Sequence, residues 1–462
     1  MAVISPQSRR VTVYTIGCRL NQAESAILSD RFTQLGFVPV PVGTPTDVLV
    51  VNSCSVTEEA ESDCRRVVRQ VLRKSPQATV AVTGCYAQTG VDVLRTLPGI
   101  DLIVGTQYKM RLPEYLETLP VSGKPYEPEV IHTKKIDHEN FVIEGTGHYS
   151  ATRANLKIQD GCQFMCAFCI IPFARGRERS RRSEDAIQEA RGLAERGHRE
   201  LVLTGVNIGQ YRHDGKNLLG LIQRLEEIKG IDRIRISSIE PTTIPEGLLE
   251  YMATSEKLCR YLHIPLQSGD DTILKGMNRR YSVGDFIQYI QRAVKIVPDL
   301  CVGTDVMVGF PGESEEHFAN TQVVIEDLPL AYLHVFSYSG RPGTAAVRLN
   351  QLVPTRTIQA RSRKLAELSR FKRLAYYQRY VGQKVQVLFE SRNRQGAWTG
   401  LTDNYVRVGV RAPEELGNAI KPVVITGITD GLAVGHLMDQ GEPDRQSKAF
   451  PLVLMASQPI GE

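Results

Sequence analysis

Residues 160–177 read DGCQFMCAFCIIPFARGR and hold three cysteines, Cys162, Cys166 and Cys169, in a C-x3-C-x2-C arrangement. The short run NLKIQD (155–160) stands just before them, so the cysteines fall on the loop that leaves a strand. Outward from this loop the chain keeps alternating. Further strand candidates are ELVLTGVNIG (200–209), RIRISSIEP (233–241), YLHIPLQSG (261–269), CVGTDVMVGFPG (301–312) and AYLHVFSYSG (331–340). Helical patterns such as SEDAIQEARGLAERG, NLLGLIQRLEEIKG and SEEHFANTQVVIEDL separate them. Six βα units are too few to close an eight-stranded barrel. Residues 149–375 are therefore expected to form a partial, open (βα)6 barrel with functional groups at the strand C-termini.

Upstream, within residues 9–120, one pattern occurs three times. VTVYTIGC ends at Cys18, DVLVVNSC at Cys54 and ATVAVTGC at Cys85. Each run is apolar on both faces, as in a parallel sheet covered by helices. Helical patterns follow, among them QAESAILSDRFTQLG and EEAESDCRRVVRQVLRK, so an open parallel α/β sheet is expected. Ligands of such sheets gather outside the carboxyl ends of the strands. The three cysteines should thus converge in one crevice although they are 36 and 31 residues apart. Residues 121–148 lose the periodicity and read as a linker. After a long basic helical stretch, residues 376–440 change to short alternating runs (KVQVLFES, AWTGLTDN, YVRVGV, KPVVITGITD, LAVGHL), which indicate a small antiparallel β-barrel. Residues 441–462 form a tail without a clear pattern.

At 462 residues the chain exceeds one ordinary core and reads as an α/β multidomain protein. Hydrophobic content of 42% and charged content of 23% exclude a disordered chain. No apolar run approaches the ~20 residues that span a bilayer. The start, MAVISPQSRR, lacks the apolar segment of a secretory signal, so the cytoplasm is the expected compartment, with no membrane partner. Nine cysteines in a reducing compartment argue for metal ligation or catalysis rather than disulfides. The net charge of +5 is mild, but Arg175, Arg177, Arg179, Arg181 and Arg182 crowd together, and a second basic stretch begins at Arg361.

Iron–sulfur clusters are held by cysteine thiolates, commonly from one loop. The Cys162/Cys166/Cys169 loop can wrap three corners of a four-iron cluster and leave one iron open for the amino and carboxylate groups of S-adenosylmethionine (SAM). A structural zinc site wants a fourth ligand, and no further cysteine or histidine stands close by. With the aromatic Phe168 before the last cysteine and βα units following, the chain resembles the radical SAM superfamily. Along nearly its whole length it resembles a methylthiotransferase of that superfamily. The stretches that carry this are TIGCRLNQAES, VVNSCSVTEEA, TGCYAQ, DGCQFMCAFCIIPFARGRERSR, LTGVNIG, SSIEP, HIPLQSG and TDVMVGFPGE.

The resemblance implies two 4Fe-4S clusters, an auxiliary one on Cys18, Cys54 and Cys85 and a SAM-binding one on Cys162, Cys166 and Cys169. It implies that one SAM methylates a sulfur at the auxiliary cluster. A second SAM is cleaved reductively to a radical that removes hydrogen from a substrate C–H bond, which the methylthio group replaces. Such chemistry needs a reducing electron donor, such as a flavodoxin or ferredoxin, and a sulfur source. Gly205, Asn207, Glu240, Gln267 and Asp305, at or near strand ends, are candidate SAM contacts together with Phe168, and each of the five has a structural turn residue as its alternative reading. Cys64 reads as an ordinary helix cysteine, with the open corner of the auxiliary cluster as its alternative, while Cys259 and Cys301 read as core.

Three substrate classes compete in that family. GCRLNQAES most resembles the tRNA N6-threonylcarbamoyladenosine methylthiotransferase group. Arg19, Leu20 and Asn21 stand where the isopentenyladenosine group tends toward Gln-Met-Asn and the ribosomal-protein group toward Pro-Lys-Asn. The implied function is conversion of N6-threonylcarbamoyladenosine at tRNA position 37, next to the anticodon, to its 2-methylthio derivative. The alternatives are isopentenyladenosine tRNA or a ribosomal-protein aspartate. The terminal module resembles TRAM, a small RNA-binding barrel, with Arg392, Arg394, Trp398, Tyr405 and Arg407 as basic and stacking groups. Trp398 has burial in the barrel core as its alternative. The arginines after Ala174 and the basic helix are expected to extend that RNA surface.

Overall fold

In the computed structural model the described residues are 9–118, 127–137, 141 and 152–438. The N-terminal sheet consists of β1 (Arg10–Thr15), β2 (Val38–Pro39), β3 (Val48–Ser53), β4 (Thr79–Gly84), β5 (Leu102–Val104) and β6 (Glu129–Ile131), in the order 2-1-3-4-5-6. Every pairing is parallel. Strand β6 lies in the segment read as linker: a short β-branched stretch completes the sheet edge, and the rest of 121–148, apart from residues 127–137 and 141, falls outside the described residues. The tail 441–462 also lies outside them.

Apolar residues alternate between the two faces of this sheet. One face packs Leu49, Val51, Val80, Val82 and Ile103 against Cys64, Val67, Val68 and Val71 of α2 (Glu58–Lys74). The other packs Val48, Val50, Ala81 and Leu102 against Ile27, Leu28 and Phe32 of α1 (Arg19–Gln34). Helix α2 starts at Thr57, whose side chain accepts from the Ala60 N–H, with Glu58, Glu59 and Glu61 in the first turn and Arg73 and Lys74 in the last. Cap and charges all agree with the helix dipole. Cys64 is fully buried on this helix and its thiol is pushed up to about 12 by burial. It is a core residue.

The expected six strands follow: β7 (Arg153–Lys157), β8 (Glu200–Thr204), β9 (Arg233–Ile236), β10 (Tyr261–His263), β11 (Cys301–Val308) and β12 (Tyr332–Ser337). They form two parallel triplets, 9-8-7 and 10-11-12. A bridge from Ile234 to Leu258 and the Ile239 N–H bond to the His263 carbonyl join the triplets between β9 and β10. Helices such as Ser183–Glu195, Leu218–Glu226, Val283–Ile296 and Glu315–Asp327 cover the outer face with one apolar core. Cys259 and Cys301 are buried at strand starts, as expected.

Contacts divide the chain into two units, Met1–Arg373 with Asp403–Tyr405, and Leu374–Thr402 with Val406–Glu462. The boundary falls inside a long basic helix, Thr355–Gln378. The second unit is a closed barrel of β13 (Lys384–Arg392), β14 (Trp398–Leu401), β15 (Arg407–Val410), β16 (Ile420–Thr429) and β17 (Leu432–Leu437), in the order 13-14-15-17-16. All its pairings are antiparallel except that of β15 with β17, which run parallel. Closure removes the exposed edges that short strands would otherwise present.

Candidate functional site

The register of the N-terminal sheet decides where its cysteines fall. Asn52 pairs with Thr83 and Ser53 with Gly84, so Cys54 and Cys85 leave neighbouring strands side by side. Thr15 pairs with Asn52, which brings Gly17 and Cys18 to the same edge. Gly17 has φ +103° and a side chain there would lie 2.7 Å from Cys54 Cβ; Gly84 has φ +95° and a side chain there would lie 2.4 Å from the Ser53 carbonyl. Both positions demand glycine for conformation and for space. Asn21 ties the edge together: its amide donates to the Ile16 and Ser53 carbonyls, and Asn52 donates to its own carbonyl. Cys54 and Cys85 are buried and Cys18 is exposed, so Cys18 marks the open side. Burial, reinforced by Cys85 and Cys18, pushes the Cys54 thiol up to about 12, and burial raises that of Cys85.

The second trio lies on the loop after β7. Backbone bonds hold that loop at several points: Cys162 N–H to the Gly176 carbonyl, Ala167 N–H to the Met277 carbonyl, and Ala346 N–H to the Ala167 carbonyl. Asn278 donates to the Met165 carbonyl at 2.9 Å, and the Arg280 guanidinium lies 4.1 Å from the centre of the Phe164 ring. Arg279 donates to the Cys166 sulfur at 3.3 Å and is ion-paired with Glu240. Burial pushes the Cys169 thiol up to about 12 and raises that of Cys162. Phe168 packs beside the small apolar cluster of Ala167, Ile273, Met277 and Phe310.

A short helix, Ile171–Arg175, starts two residues after Cys169 and packs against the helix Cys85–Thr89 that begins with the last N-terminal cysteine. The elements that carry the two trios are therefore in contact. Between them lies a buried ion cluster that sequence reasoning missed. Arg175 donates to Asn21 Oδ1 at 2.6 Å and to both oxygens of Glu24, at 2.9 and 3.1 Å. Glu24 also accepts from Lys109 at 2.5 Å and Lys157 at 2.8 Å, and Asp160 accepts from Lys157 and Arg175 at 2.7 and 3.0 Å. A signal existed: Glu24 sits on α1 among Ala23, Ile27 and Leu28, an apolar helix face where a lone carboxylate needs partners.

The other predicted contacts divide. Gly205 opens the loop after β8, where Gln159 Oε1 accepts from the Val206 and Asn207 N–H groups at 2.8 and 2.9 Å. The Asn207 side chain is engaged by Thr243 and Gln210. Glu240 is bound by Arg279, and Gln267 has φ +64° where its N–H meets the Asp305 carbonyl. Asp305 stands inside β11 rather than at its end, 2.9 Å from His263 Nε2 and 3.4 Å from His334 Nδ1. The expectation for the arginine run needs correction. Arg175, Arg179 and Arg181 are buried and paired with Glu24, Asp160 and Glu189, so Arg177 and Arg182 alone of the five are exposed. Part of the basic helix is likewise occupied: Arg361 pairs with Glu313 and Glu315, and Lys372 caps the Glu326 and Leu328 carbonyls. Trp398 is in the barrel core, 5% exposed, with Nε1 on the Glu414 carbonyl. Tyr405 is half-buried and stacks on Tyr261 at 4.3 Å.

Comparison with known proteins agrees with this geometry. The Radical SAM superfamily model matches residues 156–322, and the model of Uncharacterized protein family UPF0004 matches residues 10–105. Threonylcarbamoyladenosine tRNA methylthiotransferase MtaB of Bacillus subtilis is 35% identical over 444 residues, covering 94% of this chain and 96% of its own length. The tRNA-2-methylthio-N(6)-dimethylallyladenosine synthase of Cereibacter sphaeroides is 33% identical over 436 residues, covering 92% and 98%. Among solved structures, the radical S-adenosylmethionine methyltransferase TsrM from Kitasatospora setae aligns with a TM-score of 0.54 at 16% identity, over 71% of this chain and 75% of that one, which shows a shared fold. With the paired cysteine sites in place and such relatives spanning almost its whole length, the chain belongs to the radical SAM methylthiotransferase family, in its MtaB-like group.

Proposed function

We propose that this enzyme converts N6-threonylcarbamoyladenosine in tRNA, at position 37, to its 2-methylthio derivative. The observation that carries the reading is the end-to-end match to relatives named for that activity, 32–36% identical over 85–94% of the chain. Cys162, Cys166 and Cys169 would hold a SAM-binding iron–sulfur cluster, and Cys18, Cys54 and Cys85 a second one. The donor sets fit: one is three cysteines that follow neighbouring parallel strands and the other three cysteines on a single loop, with the Arg279 guanidinium on the Cys166 sulfur and the Arg175 charge easing the ionisation of Cys85 against its burial. When bound, an iron–sulfur cluster with SAM supplies the homolytic chemistry that an unactivated C–H bond requires.

The chain's own residues do the positioning. The loop bonds from Ala167, Met165 and Cys162 fix the first trio, and the Arg175–Glu24–Asn21 bonds fix its relation to the second. In this reading 9–120 form the sulfur-site domain, 149–375 the radical SAM domain and 376–440 an RNA-binding barrel. Gly205, Asn207, Glu240, Gln267, Asp305 and Phe168 remain the proposed surroundings of SAM. Among the described residues no helix is long and apolar enough to cross a membrane, and tRNA as substrate puts the enzyme in the cytoplasm with a small electron carrier and a sulfur source. The test is nucleoside mass spectrometry of tRNA from a deletion strain, complemented by wild type or by Cys162→Ala. The methylthio derivative of threonylcarbamoyladenosine should vanish on deletion and return with wild type alone. Loss of the isopentenyl derivative instead would move the substrate to the other tRNA class.

A further inference from the structure

Arginines in the interior of this unit find carboxylates. Arg175 meets Glu24, Arg181 meets Glu189, Arg235 meets Glu200, Arg279 meets Glu240 and Arg361 meets Glu313. Arg19 differs. It is half-buried at the first position of α1, beside Cys18, yet among the described residues no carboxylate pairs with it. Its one hydrogen bond is a long one, 3.5 Å from Nη2 to the Tyr405 hydroxyl. None of its guanidinium nitrogens is both buried and unpartnered, so its remaining donors reach solvent and are free to meet the acceptors of a ligand.

The partner that Arg19 does have is itself unusual. Tyr405 has φ +67°, a region bulky side chains avoid, and it is held there with its ring stacked on Tyr261 and the Arg235 guanidinium 5.3 Å from its centre. Tyr261 in turn hydrogen-bonds Tyr332 at 2.6 Å, and Tyr332 reaches His263 at 3.1 Å. Arg19 thus tops a wall of aromatic hydroxyls that runs along the inner face of β10–β12, next to the one exposed thiol of the sulfur site.

Adenine C2, which receives the methylthio group, and N6, which carries the substituent, flank the same Watson–Crick edge. A group beside the sulfur site is therefore within reach of whatever hangs from N6. The substituent of N6-threonylcarbamoyladenosine ends in a carboxylate, and an isopentenyl group has none. We propose that Arg19 is the specificity-determining residue that binds the threonyl carboxylate of the substrate, oriented by Tyr405. This inference rests on the proposed tRNA substrate.

The experiment uses reconstituted holoenzyme and one anticodon stem-loop RNA in two forms, with the threonylcarbamoyl carboxylate free or capped as its methyl amide. Binding and methylthiolation are measured for wild type, Arg19→Gln and Arg19→Lys, with iron content as the check on folding. Wild type should prefer the free acid by about ten- to a hundredfold, as expected of a charge-assisted bond in a partly buried site. Arg19→Gln should weaken the acid alone and abolish the preference, and Arg19→Lys should keep part of it. A preference that survives in Arg19→Gln overturns the inference, and so does an equal loss for acid and amide, which marks a phosphate contact. If wild type leaves the acid RNA unmodified, the substrate reading falls first and takes the inference with it; a modified acid RNA with unchanged preference in the variant removes the inference only.

Discussion

Replacing Glu24 by glutamine should destabilise the larger unit strongly. The Glu24 side chain is 2% exposed and accepts four bonds, from Lys109, Lys157 and both terminal nitrogens of Arg175. Burial alone would raise its carboxyl; the charges of Arg175, Lys109 and Lys157 outweigh that and hold it well below the usual carboxylate range. Glutamine keeps the shape and removes the charge, leaving Lys157, Arg175 and Arg179 to share Asp160 and taking from Lys109 its carboxylate partner. Breaking a buried pair by removing one partner costs about 3–5 kcal/mol. The pH dependence has a definite sign. A carboxyl depressed in the folded state contributes stability that is complete above its unfolded value of about 4.3 and is lost as pH falls through the folded value. The difference between wild type and Glu24→Gln should therefore be flat around neutral pH and shrink only in acid. Urea unfolding of the reduced apoprotein, followed by far-UV circular dichroism, measures it; the one tryptophan, Trp398, belongs to the other unit and is a poor reporter. A loss below about 1 kcal/mol at neutral pH, the worth of an ordinary hydrogen bond, would refute the reasoning, as would a loss undiminished in strong acid.

Other outcomes follow from the same structure. Arg177→Gln and Arg182→Gln should each lower the salt slope of tRNA binding by about 1, whereas buried Arg181→Gln should cost stability and leave the slope alone; filter binding over a salt series separates them. Trp398→Ala should destabilise the closed barrel by about 3–5 kcal/mol in thermal melts, while Trp398→Phe leaves RNA affinity unchanged, since the indole packs inside rather than stacking on bases. Gly17→Ala, in a chain whose Cys162, Cys166 and Cys169 are alanines, should lower the iron bound per chain, because the added methyl group meets Cys54.

The strand–cysteine repeats were legible because sheet topology forces C-terminal ends together, whatever the spacing in sequence. The register of β3 on β4 realises it for Cys54 and Cys85 without any long-range information beyond the pattern. Single-strand details were less legible. The parallel pairing of β15 with β17 depends on how the small barrel closes, which short alternating runs do not encode. Segment 127–137 lacked a run long enough to read, yet Glu129–Ile131 completes a sheet edge. Charge was the most misleading signal, since a row of arginines looks the same on paper whether it faces water or carboxylates. In the two-residue strand Arg179–Ser180 successive side chains point to opposite sides, so Arg179 and Arg181 turn inward while Arg182 turns out.

The inward arginines change the meaning of the two trios. Lys109, Lys157, Arg175 and Arg179 meet two carboxylates, Glu24 and Asp160, so the buried cluster carries surplus positive charge. That surplus lies beside Cys54 and Cys85, and Arg175 lowers the cost of ionising both thiols against a burial that raises it. Anionic sulfur at those strand ends, as proposed, would balance that surplus. The ion cluster is therefore the joint between the N-terminal sheet and the partial barrel, and it would be the counter-charge of the proposed sulfur site.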